Sequence, residues 1–145
     1  MEKKHAILVV DDDPSSLSMV RLALGPLVQA DLIHEARDGQ EGLDCFHALA
    51  LSSDKHIALV LTDGKMPRRN GYQLIEAIRA LHPDVLLLPI ILMSGSLPGA
   101  TTPAGINAFV HKPLDMAYFL PVFQHWYQMS IQAAKNGHRL AGAAH

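Results

Sequence analysis

The 145-residue chain lacks features that whole classes of protein require. It has a single cysteine, Cys45, which excludes an internal disulfide and a cysteine-rich metal cluster. Its longest apolar run covers only residues 85–93 and contains Pro89, whereas a membrane-spanning helix needs about 20 apolar residues. Twelve Lys and Arg residues against fourteen Asp and Glu residues leave no basic field for a nucleic-acid backbone. These absences predict a soluble, cytoplasmic protein without direct membrane or nucleic-acid binding.

The chain does have enough apolar sequence for one folded domain, since 49% of its residues are hydrophobic. Short, β-branched apolar runs recur along it and alternate with segments of helical spacing. Because these runs are apolar throughout, they predict an α/β fold with a five-stranded parallel sheet and helices on both faces. The runs lie at residues 6–10, 32–36, 57–61, 89–93 and 108–110.

Start and stop signals bound three of the predicted helices. Asp13 caps the first helix and Pro14 fits its first position, while Gly25 ends it. The Asp38-Gly39 turn opens the second helix, and His82-Pro83 closes the third. The third helix carries an apolar stripe, which consists of Leu74, Ile75, Ile78 and Leu81.

Two segments fit the alternation of strands and helices less well. Where a fourth helix is due, residues 96–107 contain two prolines and two glycines, which predict a short or degenerate helix. Pro121 lies near the start of the last helix and predicts either a kink or a helix that begins at Pro121. We expect residues 1–128 to form the domain, and residues 129–145 to be the end of the last helix and a flexible tail. The last helix also carries an aromatic stripe, which consists of Phe119, Phe123, Trp126 and Tyr127.

Polar side chains follow four of the predicted strands. Asp11 and Asp12 follow the first, Asp63 the third, Ser94 the fourth and Lys112 the fifth. Because the carboxyl ends of parallel strands meet at one edge of the sheet, we expect these groups to face one crevice. Crowded carboxylates repel one another unless a cation is present, and Mg²⁺ prefers oxygen ligands. The pattern therefore predicts a magnesium site.

This combination of groups suits phosphoryl transfer. A carboxylate can act as a nucleophile on phosphorus, and the transfer needs mainly positioning and positive charge around the phosphoryl oxygens. Mg²⁺ and Lys112 would supply that charge, and Ser94 could donate a hydrogen bond to an oxygen. The sequence has no glycine-rich phosphate loop, so it gives no support for nucleotide binding.

Four motifs, taken together and in order, resemble the receiver domains of response regulators in two-component signalling, the CheY-like family. They lie at residues 7–13, 61–71, 93–95 and 109–113. The resemblance covers roughly residues 4–128 and implies a flavodoxin-like sheet with strand order 2-1-3-4-5. It implies a receiver domain over residues 1–128.

The resemblance implies a role for each site residue. Asp63 would be the phosphoacceptor and would bind Mg²⁺. Asp12 would be a direct metal ligand, Asp11 would act largely through water, and the main-chain carbonyl of Lys65 would complete the protein's share of ligands.

Further roles follow from the positions of Ser94, Phe109 and Lys112. Ser94 would be the switch hydroxyl and Phe109 the aromatic switch residue, while Lys112 would pair with the phosphoryl group. Lys112-Pro113 matches the point at which the family has a cis peptide bond.

The implied function is that of a signalling phosphoacceptor, not an enzyme, which assists its own phosphorylation and dephosphorylation. The phosphodonor would be a sensor histidine kinase or a histidine phosphotransfer protein, and the phosphorylated form would bind an unknown downstream protein. A homodimer is one form that such a domain can take. Three alternatives stay open: a phosphorylation-independent interaction module, a receiver fragment of a hybrid kinase or multidomain regulator, and an aspartate-nucleophile phosphatase.

The sequence departs from the family pattern in places. The interval from Ser94 to Lys112 is about four residues shorter than the family suggests, within the segment where the fourth helix is due. Arg68 and Arg69 follow Asp63, as contacts for a partner or phosphodonor or as solvated side chains. Gly64 and Gly95 flank the site without side chains, so we expect the site to be open to solvent or to a partner.

Overall fold

The computed structural model describes residues 3–66, 68–95 and 104–143, and for 138–143 only the backbone. These residues contain a five-stranded parallel sheet with the order β2-β1-β3-β4-β5, as predicted. The strands are β1 (Lys4–Val10), β2 (Ile33–Ala36), β3 (Lys55–Asp63), β4 (Ile90–Ser94) and β5 (Ala108–His111). Pro67, which belongs to one of the motifs, lies outside the described residues.

In the described part of the chain, three α-helices and a short 3₁₀ turn connect strands, and a fourth α-helix follows the last strand. They are α1 (Pro14–Leu24), the 3₁₀ turn (Ala30–Leu32), α2 (Gly39–Ala50), α3 (Gly71–Leu81) and α4 (Met116–Ala143). The predicted cap at Asp13 is confirmed, since its carboxylate accepts a hydrogen bond from the Ser15 amide. The second helix begins at Gly39 as predicted, and the Asp38 carboxylate caps it by accepting a hydrogen bond from the Glu41 amide. Asn70 begins α3 with a capping box that includes Gln73.

Two apolar layers, one on each face of the sheet, explain why the strands are apolar throughout. In β1, Ile7 and Val9 pack with α1 and α4, while Leu8 and Val10 pack with α2 and α3. The aromatic stripe contributes Phe119 and Phe123, which have no exposed surface. Leu81 is different from the rest of its predicted stripe, because 58% of its surface is exposed.

Helix α4 begins earlier and ends later than predicted. The prediction of a start at Pro121 is wrong, since the helix begins at Met116 and contains Pro121. The Asp115 carboxylate accepts a hydrogen bond from the Ala117 amide, and the Asp115 carbonyl accepts one from the Phe119 amide, so the cap lies upstream of the proline. The helix then continues to Ala143, through residues expected to be a flexible tail. The domain boundary at residue 128 stays a prediction.

The segment between β4 and β5 is fastened to α3 where the structure describes it. Residues 96–103 lie outside the described part, and 104–107 contain a turn but no helix. The Arg79 guanidinium donates hydrogen bonds to the Gly105 carbonyl (2.8 Å) and to the Asn107 side chain (3.1 Å). A short or degenerate fourth helix therefore stays a prediction for 96–103. No helix among the described residues is long and apolar enough to cross a membrane.

Candidate functional site

Three carboxylates meet at the carboxyl-terminal edge of the sheet, as the sequence predicts. Val10 of β1 is in register with Thr62 of β3, so Asp11, which follows β1, and Asp63, which ends β3, lie side by side. Asp12 completes the group, and one carboxylate oxygen from each of the three aspartates lies within 4.8 Å of the others. The register of two parallel strands therefore creates a concentrated negative charge.

Asp11 is the buried member of this acidic cluster. It has no exposed surface, and both of its carboxylate oxygens have hydrogen-bond donors. Oδ2 accepts from Nζ of Lys112 at 2.7 Å, and Oδ1 accepts from the amide of Asp13 at 2.9 Å. Asp12, by contrast, is exposed. Asp11 thus anchors the cluster, and Asp12 presents its carboxylate to solvent.

Lys112 places a positive charge between two of the aspartates. Its amide donates to the Ser94 carbonyl at 2.9 Å, which fixes the end of β5 against β4. Its Nζ lies 2.7 Å from Asp11 and 3.5 Å from Oδ2 of Asp63. Burial acts to lower the pKa of Lys112, but the hydrogen bonds and charges of Asp11 and Asp63 outweigh it, so the pKa is raised above its usual value. Lys112 therefore stays charged at neutral pH.

Asp63 is nearly buried and experiences an unfavourable electrostatic environment. Only 8% of its surface is exposed, and its Oδ1 accepts a hydrogen bond from the Gly64 amide at 2.7 Å. Burial and the charge of Asp11 raise the pKa of the Asp63 carboxyl, although Lys112 and the Gly64 amide act in the other direction. An added cation beside Asp63 would relieve this repulsion.

The donor set fits a hard divalent cation. All three side chains of the acidic cluster offer carboxylate oxygens, which Mg²⁺ prefers, and the exposed Asp12 leaves room for the water ligands that this ion retains. Burial and the charge of Asp11 also raise the pKa of Asp63, and a cation at this site would oppose both effects. We therefore find that the residues present fit Mg²⁺.

Three other predicted site residues differ in how far they are buried. They are Ser94, Phe109 and Lys65. Ser94 ends β4, is 4% exposed and is in register with His111 of β5. Phe109 is half-buried on the face of the sheet that carries α2 and α3, and its ring makes an edge contact with the His111 ring at 5.8 Å between centroids. Lys65 is exposed in the loop after β3. The switch and ligand roles of these three residues stay predictions.

The loop from β3 to α3 contains close contacts that the sequence analysis missed. The amide of Gly71 donates to the Gly64 carbonyl at 3.0 Å, and a Cβ at Gly71 would lie 1.9 Å from the Asp63 carbonyl oxygen. Only glycine permits this approach. The next residue, Tyr72, places its ring and hydroxyl 3.2 Å from where a Cβ of Gly64 would be.

The expectation that the flanking glycines leave the site open is wrong at Gly64 and stays a prediction at Gly95. A Cβ at Gly95 would meet nothing within 4 Å among the described residues, which end at Gly95 and resume at residue 104. The Gly64 side is covered by the Tyr72 ring, which is 38% exposed. A glycine next to Asp63, with an aromatic residue at the start of the following helix, was the available sequence signal.

Arg68 and Arg69 fasten the same loop to α2. The Arg68 guanidinium donates two hydrogen bonds to the Asp38 carboxylate, at 2.9 and 3.0 Å. The Arg69 carbonyl accepts a hydrogen bond from the Gly39 amide at 2.8 Å, and a Cβ at Gly39 would lie 2.0 Å from that carbonyl oxygen. Arg68 is thus not a simple solvated side chain, because it forms an ion pair with the residue that caps α2.

An open groove borders the site between α1 and the residues that follow β5. It has a volume of about 420 Å³ and is lined by Asp13, Ser15, Ser16, Met19, Lys112, Pro113 and Leu114. The Lys112-Pro113 peptide bond in its wall is cis, as the resemblance implies. On the adjoining surface of α1, Met19 is 42% and Leu22 is 75% exposed. The groove is thus lined by both apolar and polar residues and includes Lys112, which contacts the acidic cluster.

Comparisons with known proteins agree with this geometry. The model of the response regulator receiver domain matches residues 7–123. The chain is 33% identical to the transcriptional regulatory protein GlrR of Escherichia coli K12, over 78% of this chain and 24% of GlrR. It is 28% identical to a CheY homologue of Campylobacter jejuni, over 74% of this chain and 80% of that protein.

A solved CheY-like receiver domain from Methanospirillum hungatei superposes with a TM-score of 0.72 and 23% identity, over 91% of this chain and 99% of that one. At this identity the superposition is evidence for the fold alone. The chain spans about a quarter of the length of the first curated relatives it matches.

Proposed function

This chain belongs to the response regulator receiver domain family, and we propose that it acts as a phosphoacceptor that takes a phosphoryl group on Asp63. One observation carries this proposal: three carboxylates lie within 4.8 Å of one another, and the Lys112 ammonium contacts two of them. Of the three, Asp63 retains a small exposed surface and lies 3.5 Å from Nζ of Lys112, whereas Asp11 is fully buried. The phosphodonor is a phosphohistidine on a sensor histidine kinase or a histidine phosphotransfer protein.

In the transfer, a carboxylate oxygen of Asp63 attacks the phosphorus atom. A P–O bond forms, the P–N bond to the donor histidine breaks, and that nitrogen keeps the electron pair and takes up a proton from solvent. Bound Mg²⁺ supplies positive charge that offsets the negative charge on the phosphoryl oxygens. Lys112 supplies the same kind of charge from the other side, because Asp11 and the Ser94 carbonyl hold it in place.

Asp12, Asp63 and the main-chain carbonyl of Lys65 are the direct ligands in this proposal. The exposure of Asp12 supports a direct contact with a hydrated ion. Both oxygens of Asp11 already accept hydrogen bonds, from Lys112 and from the Asp13 amide, which supports contact with the ion through water. In this proposal Asp11 holds Lys112 through a hydrogen bond, Asp12 and Asp63 bind the metal, and Asp63 also accepts the phosphoryl group.

We propose that the phosphodonor docks in the groove between α1 and the residues that follow β5. The groove contains Lys112, and its surface continues onto the exposed Met19 and Leu22 of α1. A helical donor can cover these apolar side chains and bring its phosphohistidine to Lys112 and Asp63. Ser15 and Ser16 provide polar contacts at the rim.

The signal is carried by Ser94 and Phe109. Phosphorylation adds about 1.5 to 2 negative charges; Ser94 then donates to a phosphoryl oxygen and Phe109 turns inward. To change the ratio of two states from about 1:99 to 99:1 requires roughly 5.5 kcal/mol, which a few charge-assisted hydrogen bonds can provide. Fully phosphorylated Ser94→Ala protein should therefore lack the change in the Phe109 NMR resonances that wild type shows. A wild-type change in this variant would refute the coupling.

The direct test is the intact mass after incubation with acetyl phosphate, in Mg²⁺ or in EDTA. Wild type should gain one phosphoryl group in Mg²⁺ but none in EDTA, and Asp63→Asn should gain none in either. A gain by Asp63→Asn, or none by wild type with either acetyl phosphate or a panel of phosphorylated histidine kinases, would contradict the proposal. The second result would favour a phosphorylation-independent interaction module, the alternative that keeps this fold.

A further inference from the structure

Tyr72 lies beside the proposed phosphoacceptor without belonging to the acidic cluster. A Cβ built on Gly64, the residue after Asp63, would be 3.2 Å from both Cε2 and the hydroxyl oxygen of Tyr72. The ring therefore occupies the space next to Gly64 that a side chain at position 64 would otherwise take. At 38% exposure, the ring also extends into solvent at this side of the site.

The position of Tyr72 is fixed by the way α3 joins β3. Gly71 approaches the Asp63 carbonyl more closely than any other residue type could, and its amide donates to the Gly64 carbonyl. Asn70 and Gln73 complete a capping box on either side of Tyr72. The same loop is fastened to α2 through Arg68 and Asp38. The ring thus projects from the capped first turn of α3, next to the residue that follows Asp63.

We propose that Tyr72 is a positioning residue that sets the lifetime of the phosphoryl group on Asp63. Its ring covers the Gly64 side of the site and restricts the water that can approach the phosphorus atom. The effect acts through that water, since Tyr72 needs no contact with the phosphoryl group. This inference rests on the proposed function and concerns the regulation of the same site.

The reaction that Tyr72 restrains is hydrolysis of the aspartyl phosphate. The oxygen of a water molecule attacks phosphorus, the bond between phosphorus and the Asp63 carboxylate oxygen breaks, and the carboxylate keeps the electron pair. Inorganic phosphate leaves with the atoms of the water, apart from a proton that passes to solvent. No further reactant is required. Because Asp63 is almost buried, access of water to the group is limited to the open sides of the site.

The test measures two rates separately in four proteins: wild type, Tyr72→Ala, Tyr72→Phe and Leu81→Ala. Leu81 is the matched control, because it is exposed at the far end of the same helix. Each protein is phosphorylated with acetyl phosphate in Mg²⁺, the donor is removed by desalting, and loss of the phosphoryl group is followed by intact mass. Thermal unfolding identifies any variant that is not folded.

Tyr72→Ala should lose its phosphoryl group roughly three- to tenfold faster than wild type, while Tyr72→Phe and Leu81→Ala stay within about twofold. The rate of phosphorylation by acetyl phosphate should change less than the rate of loss in every variant. A wild-type lifetime for Tyr72→Ala would overturn the proposal. Equal acceleration in Tyr72→Ala and Tyr72→Phe would also overturn it, since the hydroxyl and not the ring would then be responsible.

Gly64→Ala offers an independent check, because its Cβ would press on the Tyr72 ring. Gly64→Ala should shorten the lifetime in the wild-type background and have little effect in the Tyr72→Ala background. Equal effects in both backgrounds would contradict the proposed contact. If wild type accepts no phosphoryl group, the proposed function fails and this inference fails with it. If wild type is phosphorylated but the Tyr72 variants have the wild-type lifetime, this inference alone fails and the proposed function stands.

Discussion

At both ends of the sheet, groups that carry the same charge when ionised lie close together. The repulsion between them is relieved in a different way at each end. At the carboxyl-terminal end, Asp11, Asp12 and Asp63 lie together. At the amino-terminal end, the rings of His5 and His56 are in contact, with centroids 4.6 Å apart. Histidine can give up its charge near neutral pH, whereas a carboxylate at that pH needs a cation beside it. Of these two ends, it is therefore the acidic one that a bound cation would stabilise at neutral pH.

The basic end shows how this relief works. Nδ1 of His5 and Nε2 of His56 are hydrogen-bonded to each other, and the Tyr127 hydroxyl donates to the His5 carbonyl at 3.4 Å. Burial, followed by the charges of His5 and Lys3, lowers the pKa of His56 to about 4. His56 is consequently neutral at pH 7. The repulsion is removed by loss of a proton, and no ligand is needed.

The largest expected effect comes from replacing Lys112, whose ammonium group contacts Asp11 and Asp63. Lys112→Met keeps an unbranched side chain that is one atom shorter, but it leaves the buried Asp11 carboxylate without its cation. We expect a loss of about 3 kcal/mol in the free energy of unfolding at pH 7 without Mg²⁺. Urea unfolding measures it, with Lys65→Met as the control because Lys65 is exposed. Equal losses in the two variants would show that Asp11 does not depend on Lys112.

The next effect is stabilisation by Mg²⁺, which should act through the acidic end alone. An ion that binds only the folded protein adds about 2.7 kcal/mol at a concentration of roughly 100 times its Kd. Wild type should therefore gain thermal stability as Mg²⁺ is added in the absence of any phosphodonor. Asp12→Ala should lose most of this gain, and His56→Gln should retain it. A full response in Asp12→Ala would place the ion elsewhere.

The smallest effect is a pH dependence from the basic end. The pKa of His56 is about 4 in the folded protein, against a usual value of 6.5, so the unfolded chain binds more protons between these values. The contribution of His56 to stability should therefore fall as pH decreases from about 6.5 to 4 and stay constant below that. His56→Gln should remove roughly 1 kcal/mol of this dependence, because water screens a ring that is only half-buried.

Urea unfolding of His56→Gln across this pH range measures the effect. His125→Gln, on the exposed side of α4, is the control and should leave the slope unchanged. If the free energy of unfolding depends on pH in the same way in His56→Gln as in wild type, the lowered pKa of His56 does not contribute to this dependence.

The sequence was sufficient to predict the parts of the molecule that depend on regular geometry. The strand order came from a family resemblance, but the meeting of Asp11, Asp63 and Lys112 follows from the ends of parallel strands. Helix caps such as Asp13 and Asp38 act within a few residues and were equally predictable. These features need no knowledge of how the loops run.

What escaped prediction depends on loop paths and on packing between distant residues. The Tyr72 ring covers Gly64 because Gly71 lies close to the Asp63 carbonyl oxygen. A glycine after Asp63 and an aromatic residue at the start of α3 are visible in the sequence, but they do not encode this close approach. Pro121 alone left two alternatives for the last helix, a kink or a start at this residue, and the upstream cap at Asp115 excludes the second. Burial of Phe119 in the apolar layer of α1 and α4 supports helix on the amino-terminal side of that proline.

The most direct test of the central claim is to find which residue carries the phosphoryl group. Wild type is treated with phosphoramidate in Mg²⁺ and then reduced with borohydride, which converts an aspartyl phosphate to homoserine and leaves phosphohistidine unconverted. Peptide mass spectrometry should then show homoserine at position 63 and unchanged Asp11 and Asp12, with no conversion in EDTA. Homoserine at position 11 or 12, or phosphorylation confined to histidines, would contradict the assignment of Asp63 as the acceptor.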